Sequence, residues 1–396
     1  MTKILRNITK QLLIWRDKKD RMPLILHGAR QVGKTFSAEA FGAEHYANSV
    51  TLNLEDSADV RAVFERDFDI ARIIRELSAL SGVRIGKGDT LIIFDEIQAS
   101  ERALLSLKYF YERASDYHII ATGSLLGIAV NRREYSFPVG KVEFLKMHPM
   151  DFEEFLSAKG EASLASLIRE SAAESSPLSL HEKALSLYRE YLAVGGMPKV
   201  VSDHIQSADG SGGLPALRAL DTAYIADMAK YATPAETARI MSVYGSIPAQ
   251  LARENNKFRY AAVKQGGKRS VFESAIDWLA AAGIGIKNTK VTAGISPSAA
   301  YEDDSFFKLY LHDCGLLTLK YGVGLPMVTA GAVQSRHVKG AMAENYVATA
   351  LDALGRRSLY WSSGNTAEVD FVVQVGGGNV IPVEVKSADN TRSKSL

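Results

Sequence analysis

Leu24-Ile25-Leu26-His27-Gly28-Ala29-Arg30-Gln31-Val32-Gly33-Lys34-Thr35 decides how this chain is read, because an apolar strand runs straight into a glycine-bounded loop ending in Gly-Lys-Thr. Glycines let a backbone wrap closely enough for its N–H groups to face phosphate oxygens. The helix that the loop opens presents an N-terminus that favours negative charge. Lys34 is placed to reach the β- and γ-phosphates of ATP, and Thr35 to put its hydroxyl on Mg²⁺. A plain strand-to-helix turn would leave the Lys-Thr pair unexplained. Gly28, Ala29, Arg30, Gln31, Val32, Gly33, Lys34, Thr35 and Phe36 are the expected nucleotide contacts, with ATP and Mg²⁺ as cofactors.

Before this loop, Ile4, Leu5, Ile8, Leu12 and Trp15 recur at helical spacing. After it, Phe36 to Phe41 continues as helix, Ser49 to Leu54 alternates as a strand, and Arg61 to Leu80 reads as helical. Thr90-Leu91-Ile92-Ile93-Phe94-Asp95-Glu96 is an apolar run closed by two carboxylates, the pattern of a strand buried on both faces of a parallel sheet. Asp95 is expected to hold Mg²⁺ through water and Glu96 to polarise the attacking water. Acids at that point can also cap the next helix, but the phosphate loop upstream favours the chemical role. His118 to Ala121 is another strand, and Thr122 at its carboxyl end is expected to sense the γ-phosphate. Ser124 fits either that task or a helix cap. Arg132 or Arg133 can serve a neighbouring subunit as an arginine finger in a homo-oligomer, while a solvated charge is the plainer reading of either.

With 396 residues the chain has room for two or three domains, and an apolar fraction of 46% with 23% charged residues is ordinary for a globular protein. A net charge of +2 supplies no global basic field, so any nucleic-acid surface has to be local. Cys314, the single cysteine, has no internal disulfide partner, which suits a reducing compartment, and a cytoplasmic location is expected. Met1 to Lys10 is polar and basic with no long apolar region after it, so no leader is expected. No apolar run is long enough to span a bilayer, and no membrane contact is expected.

The order of phosphate loop, Ile-Ile-Phe-Asp-Glu and Ala-Thr-Gly-Ser resembles the AAA-type ATPases of the P-loop superfamily. Phe137-Pro138-Val139-Gly140-Lys141-Val142, Met150 to Leu156, Gly195-Gly196-Met197-Pro198, Ile247 to Ala252 and Lys308 to Leu317 are similar to a widespread prokaryotic family. Its members join this ATPase module to a C-terminal domain of unknown function. The resemblance covers nearly the whole chain and implies ATP binding without naming a biological task.

Residues 157–179 are rich in Ser, Ala and Glu and read as exposed helix or linker. Leu180 to Val201, Leu217 to Lys230 and Pro234 to Tyr244 carry helical periodicity, and Ser207 to Gly213 reads as a loop. Ile247 to Leu251, the basic segment from Arg253, the helix Val271 to Ala282 and a strand bearing lysine and threonine after Gly283 suggest a helix-turn-helix with a wing. Arg253, Lys257, Arg259, Lys264, Lys268 and Arg269, with Phe258 and Tyr260 among them, fit DNA phosphate contacts beside an aromatic platform. A solvated interdomain face is the alternative.

Glu368 to Val373, a turn at Gly376-Gly377-Gly378, and Val380 to Lys386 read as a hairpin with Glu384 and Lys386 on one face. Asp370 and Glu384 can together hold a divalent metal, with Lys386 steadying an attacking water and Glu344 as an accessory acid. The pattern resembles the core of the restriction-endonuclease-like fold, with its Asp and Glu-x-Lys signature. That fold pattern continues with a further helix and strand where this chain stops, so an incomplete domain is expected.

The expected fold class is α/β. A P-loop NTPase domain of AAA type with a parallel sheet spans residues 1–156. A helical region (157–235), a winged-helix-like region (236–295) and a nuclease-like α/β domain (296–396) follow. The expected activity is ATP hydrolysis with Mg²⁺, coupled to conformational change that acts on nucleic acid or a protein partner. The alternatives are a nucleotide-gated binding module with little turnover, and an ATPase-controlled metal-dependent nuclease.

Overall fold

Five parallel strands carry the phosphate loop: β1 (Leu24–His27), β2 (Asn48–Asn53), β3 (Thr90–Asp95), β4 (His118–Gly123) and β5 (Glu143–Lys146), in the spatial order β2-β3-β4-β1-β5. This computed structural model describes residues 6–124, 138–363 and 367–387. The chain splits into two compact units, one of Lys3–His148 and a second that takes in Pro149–Leu396.

In the first unit β3 is buried along its whole length up to Asp95, as an unbroken apolar run requires when helices cover both faces of a sheet. Phe94 packs edge-on against Phe64 with ring centroids 5.6 Å apart. The stretch Arg61 to Leu80, expected to be helical, falls in two helices, Ala58–Glu65 and Ile70–Ser81. Asp69 breaks it: its side chain accepts hydrogen bonds from the N–H groups of Ala71 and Arg72 and so starts the second helix as an N-cap. Among the described residues, no helix is long and apolar enough to cross a membrane.

The second unit begins with helices, and three of the stretches quoted above for their family likeness meet through Met150, Gly196 and Asp313. The N–H of Gly196 donates to the buried Asp313 carboxylate at 2.7 Å, and its carbonyl accepts from Met150 N at 2.7 Å. A Cβ on Gly196 would lie 2.0 Å from the Met150 carbonyl oxygen, which explains the glycine. Burial pushes the Asp313 carboxyl up to about 6.

Its sheet has the order β10-β9-β8-β6-β7, built from β6 (Gly285–Val291), β7 (Glu302–Leu311), β8 (Leu359–Ser363), β9 (Ala367–Gln374) and β10 (Val380–Val383). The strand expected as a wing is β6, and it is an inner strand, antiparallel to β7 and parallel to β8. The helix expected to end at Tyr244 runs from Pro234 through Pro248 to Leu251, so Ile247 to Leu251 completes that helix instead of opening a new one. Hairpin β9–β10 turns at Gly376–Gly378 as expected, but β10 stops at Val383, leaving Glu384 and Lys386 beyond the strand end.

Candidate functional site

The sheet order brings the carboxyl ends of β1, β3 and β4 side by side, and the expected nucleotide residues collect there. Gly28 has φ +145°, and a Cβ on it would stand 2.1 Å from the Met147 carbonyl oxygen, because β5 passes so close that Met147 N donates to His27 O at 2.7 Å. Gln31 and Gly33 also take positive φ, which coils the loop before the helix Lys34–His45. Gly33 occupies the N-cap without a side-chain cap, so the first N–H groups of that helix are available to an anion. Phe36 points outward, 55% exposed.

Asp95 is the hub of the site. Its Oδ1 accepts from the Thr35 hydroxyl at 2.7 Å and from the Thr122 hydroxyl, and its Oδ2 faces the Asn53 amide at 3.4 Å. The residues expected from sequence to serve Mg²⁺ and the γ-phosphate are thus drawn together on one carboxylate. A hydroxyl and an adjacent carboxylate are hard oxygen donors and fit Mg²⁺. Glu96 sits next to them in a left-handed conformation, φ +50°, uncommon for a residue with a side chain. Its Oε2 accepts from the Gln98 amide and, at 3.4 Å, from the Ser124 hydroxyl.

The Lys34 side chain is only 7% exposed, and its ammonium donates to the carbonyls of Gly28 at 3.2 Å and Ala29 at 2.8 Å. Burial pulls it down to about 8, against the opposing pull of Glu96 and Asp95. A cation held this dry, across a loop of backbone N–H groups, is strongly attracted to incoming phosphate.

Three residues of this constellation escaped the sequence reading. Asn53 reaches Asp95 because the β2–β3 register pairs the two residues directly. Gln98 orients Glu96. Arg6 braces the loop from outside, donating to the Val32 carbonyl at 2.8 Å and the His148 carbonyl at 2.7 Å. Arg132 and Arg133 lie outside the described residues.

In the second unit a cleft of about 820 Å³ gathers the C-terminal candidates Glu344, Asp370 and Glu384, with Arg253, Lys257 and Arg259 of the basic segment among its other lining residues. Lys386 pairs with Glu384. Lys308 of β7, with no exposed surface, occupies the middle of the acids. Its ammonium lies 2.7 Å from Glu368, 3.2 Å from Glu344 and 3.6 Å from Asp370. Burial and the neighbouring Glu344 push the Asp370 carboxyl up to about 6. Among the described residues no group of three or more His, Cys, Asp or Glu side chains is arranged to hold a metal ion. As they stand, Asp370, Glu384 and Glu344 do not fit one.

Of the basic segment, Arg253, Arg259, Lys264, Lys268 and Arg269 are exposed, and Arg269 pairs with Glu273 at 2.6 Å. Phe258 does not provide the open platform expected of it. Its ring stacks on Phe307 at 5.0 Å, its N–H donates to the Phe307 carbonyl, and Tyr260 meets it edge-on.

A glycine-cradled loop, a buried lysine and a threonine–aspartate pair on a parallel sheet define a P-loop nucleoside-triphosphatase domain. Residues 20–156 match the family described as AAA domain. Residues 185–325 and 339–396 match two families each described as a domain of unknown function, DUF8612 and DUF4143. No curated protein matches the chain. Among solved structures it is similar to the ORC2 protein of Aeropyrum pernix at 12% identity, covering 84% of this chain and 96% of that one with a TM-score of 0.35. It is also similar to Cdc6p of Pyrobaculum aerophilum, at 11% identity over 84% and 97% of the two chains with a TM-score of 0.33. The RuvB Holliday junction branch migration motor of Thermotoga maritima matches at 15% identity over 70% and 88%, with a TM-score of 0.32.

Proposed function

We propose that this protein hydrolyses ATP with Mg²⁺ at the loop Gly28–Phe36. The observation that carries the proposal is the convergence of Thr35, Thr122 and Asn53 on Asp95, next to a Lys34 ammonium held dry by loop carbonyls. When bound, Mg²⁺ would supply positive charge to phosphate oxygens, held by Thr35 and by Asp95 through water. Lys34 exchanges its two carbonyl partners for phosphate oxygens. Glu96 accepts a hydrogen bond from the attacking water and orients it, with Gln98 fixing the carboxylate. Thr122 links Asp95 to the γ-phosphate position and reports whether that phosphate is present. Such a contact moves a loop when the phosphate leaves, which is how hydrolysis becomes conformational work on nucleic acid or a protein partner.

Phosphate release by the purified full chain, with and without DNA or RNA, tests this reading. Mg²⁺-dependent turnover is expected. Tight ATP binding with no turnover under any of these conditions would favour a nucleotide-gated binding module instead.

A second reading, nucleic-acid contact by the 253–269 segment, is supported by the exposed Arg253 and Arg259 on the cleft. Backbone contacts make affinity fall steeply with salt, and Arg253→Glu with Arg259→Glu should weaken binding to many sequences alike. Absence of DNA or RNA association at low salt would leave the segment a solvated surface.

A further inference from the structure

The C-terminal cleft has the acids of a metal site and a lysine in the place of the metal. Nζ of Lys308 is the point on which oxygens of Glu368, Glu344 and Asp370 converge, at 2.7, 3.2 and 3.6 Å. A cation bridging those carboxylates would have to stand there. The same carboxylates also meet other groups. Glu344 Oε2 accepts from Asn256 at 2.8 Å and from the Tyr310 hydroxyl at 2.7 Å in addition to Lys308. Asp370 Oδ2 accepts from the N–H of Val385 at 2.9 Å, and Glu368 faces Lys257 at 3.9 Å. Lys308 itself is fixed by the β6–β7 pairing, opposite Asn288, and lies over the Tyr360 ring. If the ammonium swung out to solvent, the partly buried Glu344 and Asp370 carboxylates would lose this cation.

We propose that Lys308 is a built-in counter-cation that replaces a divalent ion in the Glu344–Glu368–Asp370 cluster, so that this cleft keeps its fold and presents its rim of Arg253, Arg259 and Arg336 to an anionic ligand without a metal. The lysine neutralises part of the acidic floor that would otherwise repel phosphate or carboxylate groups. Removing it converts the cluster into a metal site, because carboxylates already aimed at one point are what a hard cation requires.

The test is Mn²⁺ binding to the nucleotide-free full chain, counted by electron paramagnetic resonance, together with thermal melting in EDTA and in Mn²⁺ at constant ionic strength. Wild type and Asp370→Asn are expected to bind the same number of ions, and the wild-type melting temperature to stay unchanged on adding Mn²⁺. Lys308→Met is expected to melt lower in EDTA, to gain one bound ion per chain, and to recover several degrees in Mn²⁺. Lys308→Met combined with Asp370→Asn is expected to lose that gain. A wild-type chain that binds an ion lost in Asp370→Asn overturns the proposal, as does a folded Lys308→Met that gains none. If Lys308→Met does not fold, the comparison of wild type with Asp370→Asn decides alone.

Discussion

Replacing Lys34 by methionine should end catalysis and remove a pH dependence of stability, so that the wild type gains on the variant as pH rises from 7 to 9.5. Burial brings the Lys34 ammonium from 10.5 to about 8. Because the folded value lies below the unfolded one, the folded state binds fewer protons between the two, and stability rises with pH through that window. The penalty on the fold comes to about 3 kcal/mol at pH 7 and about 1.4 kcal/mol at pH 9.5, a recovery of about 2 kcal/mol. Methionine has similar length and no proton to gain, so the variant lacks this term. It also forfeits the bonds to Gly28 and Ala29, a loss of about 1 kcal/mol each. Urea unfolding at the two pH values, followed on the transition that the substitution displaces, reads the difference. Wild type should gain about 2 kcal/mol on Lys34→Met between pH 7 and pH 9.5. Identical pH dependence in the two proteins would refute the reasoning, and wild-type ATP turnover by the variant would refute the role given to the lysine.

Gly28→Ala should abolish nucleotide binding and lower stability by about 1–3 kcal/mol, since φ +145° and a Met147 oxygen 2.1 Å from the new Cβ force the loop to move. Melting and fluorescent-nucleotide titration check this, and wild-type affinity would contradict it. Thr122→Val keeps the buried shape and removes a donor to Asp95, so phosphate-release assays should show turnover down about tenfold or more, with ATP affinity nearly unchanged. Arg6→Ala frees the Val32 carbonyl and should raise the ATP dissociation constant without lowering turnover of the bound complex, which single-turnover kinetics separates from a catalytic defect.

The nucleotide loop and the β3 acids were legible because their signals are local: a strand, a turn and a helix start lie within a dozen consecutive residues. What depends on distant pairing was not. Asn53 joins the site only through strand register, and Arg6 only because the residue ahead of the first helix reaches across to the Val32 carbonyl. The wing was misread for the same reason. A short polar strand after a helix looks free until β8, some seventy residues later, pairs with it. Phe258 among cations resembles an aromatic platform, yet its ring is spent on Phe307. Lys308 opens one of the family-like stretches but gives no sequence signal of this role, since a lysine beside apolar residues in a strand reads as solvent-facing. Only the fold shows that its face carries Glu344, Glu368 and Asp370.

The central claim, that this domain hydrolyses ATP with Glu96 positioning the water, is tested most directly by measuring ATP affinity and Mg²⁺-dependent phosphate release side by side for wild type and Glu96→Gln. The amide preserves the size of the side chain beside Gln98 and Ser124 and removes the base-like carboxylate. Affinity within a few-fold of wild type, with turnover reduced by about 100-fold or more, is the predicted result. Loss of affinity with normal turnover per bound ATP would contradict the account.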